Sequence, residues 1–188
     1  RGIKTDASGR IYVVDTSNHR IQRFSATGVY QAQFGGQGSG NGKFDQPADI
    51  AFDSAGNIFV VDANNNRVEK FNSAGVYQSQ FGTAGSGNGQ FDQPLSIAID
   101  SSNNIYVGDY GNRRVQKFNS AGVYQSKFGS LGSGDGQFAV NGVQGIAIAA
   151  NGDIVVSDLG NFRVQIFSSA GVFKSKFGTE GSADGQFM

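Results

Sequence analysis

"NSAGVYQS" occupies Asn72–Ser79 and returns unchanged at Asn119–Ser126. Two variants flank the pair, "SATGVYQA" at Ser25–Ala32 and "SSAGVFKS" at Ser168–Ser175. The four copies begin 47, 47 and 49 residues apart. A fixed period of that size marks a repeat architecture, in which each unit is one supersecondary element and neighbours share a core. The chain divides into units 1–47, 48–94, 95–143 and 144–188, together one domain that also reads as part of a larger assembly of such units.

Within the unit Ala48–Pro94, apolar, β-branched and aromatic residues gather in "DIAFD", "NIFVVD", "RVEKF" and "GVYQSQF". Turn residues separate the runs as "SAGN", "ANNN" and "NSAG". Such short runs predict four antiparallel strands, A to D, joined by hairpins. Strand B is apolar without alternation, so both of its faces are expected to be covered. Strand D carries Gln78, Gln80, Gln125, Lys127, Lys174 and Lys176, as suits an edge that must not recruit another sheet. A sheet covered at its middle with a wet outer edge is a propeller blade, so the fold class is all-β, a β-propeller of four-stranded antiparallel blades.

Several positions are identical in every unit, among them the large apolar sets Ile11/Ile58/Ile105/Ile154, Phe24/Phe71/Phe118/Phe167, Phe34/Phe81/Phe128/Phe177 and Phe44/Phe91/Phe138/Phe187. All sixteen side chains are expected between blades, where each contributes on the order of 1.5–3 kcal/mol.

Strand B runs into Asp-x-x-Asn-x-Arg four times: Asp15, Asn18 and Arg20; Asp62, Asn65 and Arg67; Asp109, Asn112 and Arg114; Asp158, Asn161 and Arg163. Asp and Asn satisfy backbone N–H groups in tight turns, and a hairpin would bring each Asp beside its Arg. These sets are therefore expected to be structural. With the preceding "RIYVVD" and the following "NHRIQRF", the motif resembles the NHL repeat, and the resemblance extends over all four units. It implies a propeller that is usually six-bladed in the family.

Strand parity places the B–C turns and the long D–A loops on one face. Residues that vary between units on that face are the binding candidates: His19, Asn66, Arg113 and Phe162 before the arginine or as its neighbour, with Tyr110 and Leu159 just after the aspartate. A non-catalytic module that offers this face to a protein, peptide or glycan is the expected function. An assembly unit that meets other copies of itself, or completes a larger propeller, is the rival.

Several chemistries fit the residues poorly. The resemblance brings in a metal-dependent lyase whose site needs several histidines, and this chain has only His19. Glutamates number two, Glu69 and Glu180, and there is no cysteine. On these grounds no enzyme, no metal and no cofactor are expected. "GSGNGK" lacks the first glycine and the hydroxyl residue of a phosphate loop, with Gln37 and Phe44 at those places. Some NHL propellers bind RNA through a basic face, but 15 basic residues balance 15 acidic ones here, which argues against nucleic acid. No apolar run is long enough for a membrane helix. The neutral surface rich in Asn, Gln, Ser and Gly fits an extracellular or cell-surface setting. Lys4 stands where other units have alanine, an inner position that a covering blade would make costly.

Overall fold

A computed structural model describes residues 2–188. The placement of Arg1 at the start of the first strand lies outside the described residues. The chain forms four antiparallel four-stranded sheets, each in simple meander order. The first contains β1 (Ile3–Thr5), β2 (Ile11–Asp15), β3 (Arg20–Phe24) and β4 (Tyr30–Gly35). The second contains β5 (Pro47–Phe52), β6 (Ile58–Asp62), β7 (Arg67–Phe71) and β8 (Tyr77–Phe81). In the loop that follows, β9 (Thr83–Ala84) and β10 (Gln90–Phe91) make a small parallel ladder. The third sheet is β11 (Pro94–Ile99), β12 (Ile105–Asp109), β13 (Arg114–Phe118) and β14 (Tyr124–Phe128). The fourth is β15 (Val143–Ile148), β16 (Ile154–Asp158), β17 (Arg163–Phe167) and β18 (Phe173–Phe177). Single 3-10 turns at Thr16–Asn18 and Leu159–Asn161 interrupt an otherwise all-β chain.

The repeated phrase builds the C–D hairpin. Asn72 Oδ1 accepts from the amides of Ala74 and Val76, and Asn72 N–H donates to the Val76 carbonyl at 2.9 Å. Gly75 closes the turn at φ 83°, a region an L side chain enters only with strain. The short A–B turns use Asp53 and Asp100 in the same way.

Side-chain alternation decides how the blades stack. In β6 and β12 every residue is buried, because a neighbouring sheet covers each face. In β2 only Tyr12 and Val14 are buried, and in β16 only Ile154, Val156 and Asp158. These are opposite parities, so the first and fourth sheets each have one covered and one open face. Tyr12, Val14 and Ile21 of the first sheet pack with Ile50, Ile58, Val60 and Phe71 of the second. The same packing recurs at the two later junctions.

Aromatic rings seal each junction. Phe34 and Phe44 lie 4.9 and 5.6 Å from Phe71, and Phe81 and Phe91 lie 4.8 and 5.6 Å from Phe118. Phe128 and Phe138 repeat the arrangement on Phe167. Not all sixteen repeated side chains are between blades. Among the described residues Phe177 and Phe187 have only each other as ring neighbours and are 53% and 38% exposed, while Ile11 and Phe24 are half-buried. A repeated ring is buried only where a neighbour supplies the other wall. Lys4 is exposed on β1, so its charge meets water rather than a covering sheet.

Candidate functional site

The B–C turns and D–A loops share one face, and hydrogen bonds stitch them together. Asp62 accepts from Asn65 at 2.8 Å and Arg67 Nε at 2.8 Å, and its other oxygen accepts from the Asp45 amide at 2.6 Å. Arg67 then reaches the loop arriving from the first blade. Its Nη1 donates to the Ser39 carbonyl, and its Nη2 to those of Gly40 and Lys43, at 2.8–3.1 Å. Asn65 donates to the Gly38 carbonyl at 2.9 Å. Arg114 holds Ser86, Gly87 and Gln90 in the same manner, and Arg163 holds Ser133, Gly134 and Gln137. Burial pushes the Asp62 and Asp109 carboxyls up, against the opposing pull of their hydrogen-bond partners. Asp15, in the more exposed first copy, is instead held low, chiefly by its hydrogen bond from Arg20.

The unit-variable position is a backbone outlier in every blade. His19, Asn66, Arg113 and Phe162 all adopt the left-handed region, at φ 52–53°. His19 Nδ1 accepts from the Gln46 amide at 3.1 Å, and Asn66 Oδ1 accepts from the Gln93 amide at 2.8 Å. Both side chains thus hold the outgoing loop. Among the described residues Arg113 and Phe162 make no such bond to it: the Arg113 guanidinium turns back on the Gly111 carbonyl, and Phe162 is half-buried.

Tyr110, Leu159 and the loop before β15 come together at the junction of the third and fourth blades. Tyr110 Oη donates to Asn141 Oδ1 at 2.8 Å, and the Leu159 amide donates to the Gly142 carbonyl at 3.1 Å. Leu159 is 47% and Val140 57% exposed. Val140 and Asn141 were not among the candidates. Their signal was the longer "FAVNGVQGI" at Phe138–Ile146, which replaces the shorter "FDQPLSI" of Phe91–Ile97.

The innermost strands line an open pocket of about 340 Å³ formed by Gly2, Ala48, Asp49, Leu95 and Gln144. Asp49 accepts from the Ile97 amide at 3.1 Å, and burial pushes its carboxyl up.

Four meander sheets whose innermost strands line one open pocket, locked by Asp–Asn–Arg turns, define a β-propeller of NHL-type repeats. The chain belongs to this family: a model described as "6-bladed beta-propeller" matches residues 3–68 and 53–129, and an NHL repeat model matches 141–167. It is 41% identical over 51 residues to RING finger protein nhl-1 of Caenorhabditis elegans, a stretch covering 27% of this chain and 5% of that protein. Among solved structures it is similar to a streptogramin B lyase, with a TM-score of 0.69, 13% identity and coverage of 94% of this chain and 53% of that one. It also matches virginiamycin B lyase from Staphylococcus aureus at a TM-score of 0.70, with 10% identity and coverage of 94% and 54%. For Kuenenia stuttgartiensis hydrazine synthase the TM-score is 0.68, with 14% identity and coverage of 93% and 47%. The chain spans about half the length of these structures.

The lyase matches correct the expectation that this chain is not an enzyme. That expectation excluded catalysis by counting histidines in four blades, yet the same blade arrangement occurs in lyases about twice as long. Residues for chemistry are grafted onto a fold, so a residue count over one arc of blades does not exclude it. At 10–14% identity the matches establish the shared fold and assign no reaction.

Proposed function

We propose that this chain is a binding module that takes a protein or peptide segment on its loop face, at the junction of the third and fourth blades. The observation that carries this reading is the exposure of Val140 and Leu159 next to Tyr110, on a loop that the repeat pattern does not require. Arg113 and Phe162 flank them from the same turns, since their amides donate to the Tyr110 and Leu159 carbonyls. Tyr, Phe and Arg are residue types enriched at interfaces, and the two exposed aliphatic side chains beside them add apolar area, which suits a peptide with apolar side chains. The β-propeller and NHL fold supports a binding or scaffold role in general. His19 and Asn66 already hold the loop, and their part in this reading is to shape the face.

A displayed peptide library selected on the chain tests the proposal. Enriched peptides should lose tenfold or more in affinity with a Leu159→Asp, Phe162→Ala double variant whose melting temperature is unchanged. His19→Ala should instead lower the melting temperature. Peptides that bind the double variant as well as the parent chain, or a library that yields none, would remove the basis of the reading.

A further inference from the structure

The open faces of the first and fourth blades are two halves of a junction that the structure shows three times. On the fourth blade the open side presents Val155 and Val164, with Phe177 and Phe187 beside them. These occupy the places that Phe59, Val68, Phe81 and Phe91 fill where the second blade meets the third. On the first blade the open side presents Ile3, Ile11, Val13 and Phe24, the counterparts of Ile97, Ile105, Val107 and Phe118 across that junction.

The polar parts match as well. Arg20 pairs with Asp15 at 2.7 Å and with Gln33 at 2.6 Å, but no loop lies against its remaining nitrogen among the described residues. Arg114 uses that same nitrogen to hold the carbonyls of Gly87 and Gln90. Gln22 donates to Asp15 as Gln116 does to Asp109, but only Gln116 accepts from a loop amide, that of Gly89 at 2.9 Å.

The loop that would fit this clamp is present at the other end of the chain and already folded. Gly181 N–H donates to the Phe187 carbonyl at 2.9 Å, as Gly132 does to Phe138, and Phe187 N–H donates to Thr179 as Phe138 does to Ser130. The Ala183 amide donates to Gln186 Oε1 at 2.9 Å, as Gly134 does to Gln137. The carbonyls of Ser182, Ala183 and Gln186 thus stand where those of Ser133, Gly134 and Gln137 meet Arg163.

We infer that a second copy of this chain docks head to tail, its loop 179–188 entering the Asp15–Arg20–Gln22 clamp while Phe177 and Phe187 close over Phe24. The junction is heterologous: each copy uses its two ends differently, so successive junctions give a ring if the rotation closes and a longer array if it does not. The loop-face proposal above does not depend on this pairing.

Sedimentation velocity over a concentration series tests it. The chain should run above its monomer mass of 19.7 kDa as concentration rises. Arg20→Ala damages only the head and Phe187→Asp only the tail, so each alone should stay monomeric with the strand signal of the parent in circular dichroism. Mixed, the two variants should pair one to one through the intact tail of the first and the intact head of the second. A parent chain that stays at 19.7 kDa into the millimolar range overturns the inference. Assembly indifferent to both substitutions, or variants that fail to pair on mixing, does the same.

Discussion

Arg114 and Asp109 meet at 2.7 Å with the carboxylate wholly removed from water, and this pair fastens the third blade to the loop leaving the second. The remaining guanidinium nitrogens are taken up by backbone carbonyls, so the buried charge has few unmet hydrogen bonds. Full satisfaction is what makes a buried ion pair tolerable, because desolvation otherwise outweighs the attraction.

Removing one partner should therefore be costly at an internal junction and cheap at the first one. Arg114→Ala strands the Asp109 carboxylate and three loop carbonyls, a loss of about 3–5 kcal/mol. Arg20→Ala breaks a pair a third exposed at the arginine and without loop carbonyls, which is expected to cost about 1 kcal/mol or less. Urea unfolding of both variants in dilute solution checks the contrast. Equal losses would mean that the clamp does not depend on the loop it holds.

Glu69 gives the stability a pH dependence. It stands where Gln22, Gln116 and Gln165 stand in the other blades, and burial raises its pKa to about 7. Its Oε1 accepts from the Gly42 amide at 3.1 Å, while Oε2 is buried without a partner. The folded carboxyl keeps its proton to about pH 7, whereas the unfolded one releases it near the ordinary value of 4.5, so folding takes up a proton between them. This contribution is full at pH 4 and fades as pH rises through 7. Glu69→Gln should abolish that fading and add on the order of 2 kcal/mol at pH 8. The new amide can donate to the Lys43 carbonyl as Gln116 donates to Gln90 at 2.7 Å. Thermal melts of parent and variant at pH 5 and pH 8 should converge at the lower pH and separate at the higher.

Strand placement was legible because it rests on short apolar and β-branched runs set between turn residues. "RVEKF" is β7 residue for residue, and the unbroken apolar run of strand B is covered on both faces in β6 and β12, but on one face only in β2 and β16, where no neighbouring sheet stands opposite among the described residues. The shared face of B–C and D–A loops followed from parity alone. The acceptors of the clamp were not legible, since Ser39, Gly40 and Lys43 contribute carbonyls that any residue carries. Nor was the left-handed backbone at His19, Asn66, Arg113 and Phe162, four side chains with no common chemistry. Phe177 and Phe187 were misplaced for another reason: sequence identity specifies a ring's side of the contact, while burial depends on what stands opposite.

Turn glycines that look equivalent in sequence should differ in tolerance. Gly28 and Gly122 have φ 81° and 78°, so alanine at either would bear the left-handed strain of about 1–2 kcal/mol. A Cβ on Gly28 meets nothing within 4 Å, but one on Gly122 would lie 2.5 Å from the Phe81 ring. That ring is itself 4.8 Å from Phe118 and has little room to retreat. Gly122→Ala should lose clearly more than Gly28→Ala in denaturant unfolding. A difference below the measurement error would show that the hairpin does not press on the neighbouring blade.

The ring positions make a matching comparison. Phe118 is 1% exposed and packs against both Phe81 and Phe91, so Phe118→Ala should cost about 3–5 kcal/mol, the range for emptying a buried aromatic site. Phe24 occupies the same place in the first blade, is half-buried, and among the described residues has only Tyr30 as a ring neighbour, at 5.9 Å. Its loss in dilute solution should be less than half as large. At concentrations where copies pair, the head-to-tail junction would cover Phe24, and the cost of Phe24→Ala should rise towards that of Phe118→Ala. Measuring both variants at two protein concentrations separates an intrinsic packing difference from one created by an absent neighbour. A Phe24→Ala cost that is already large and independent of concentration would place that ring in a finished core and contradict the open face.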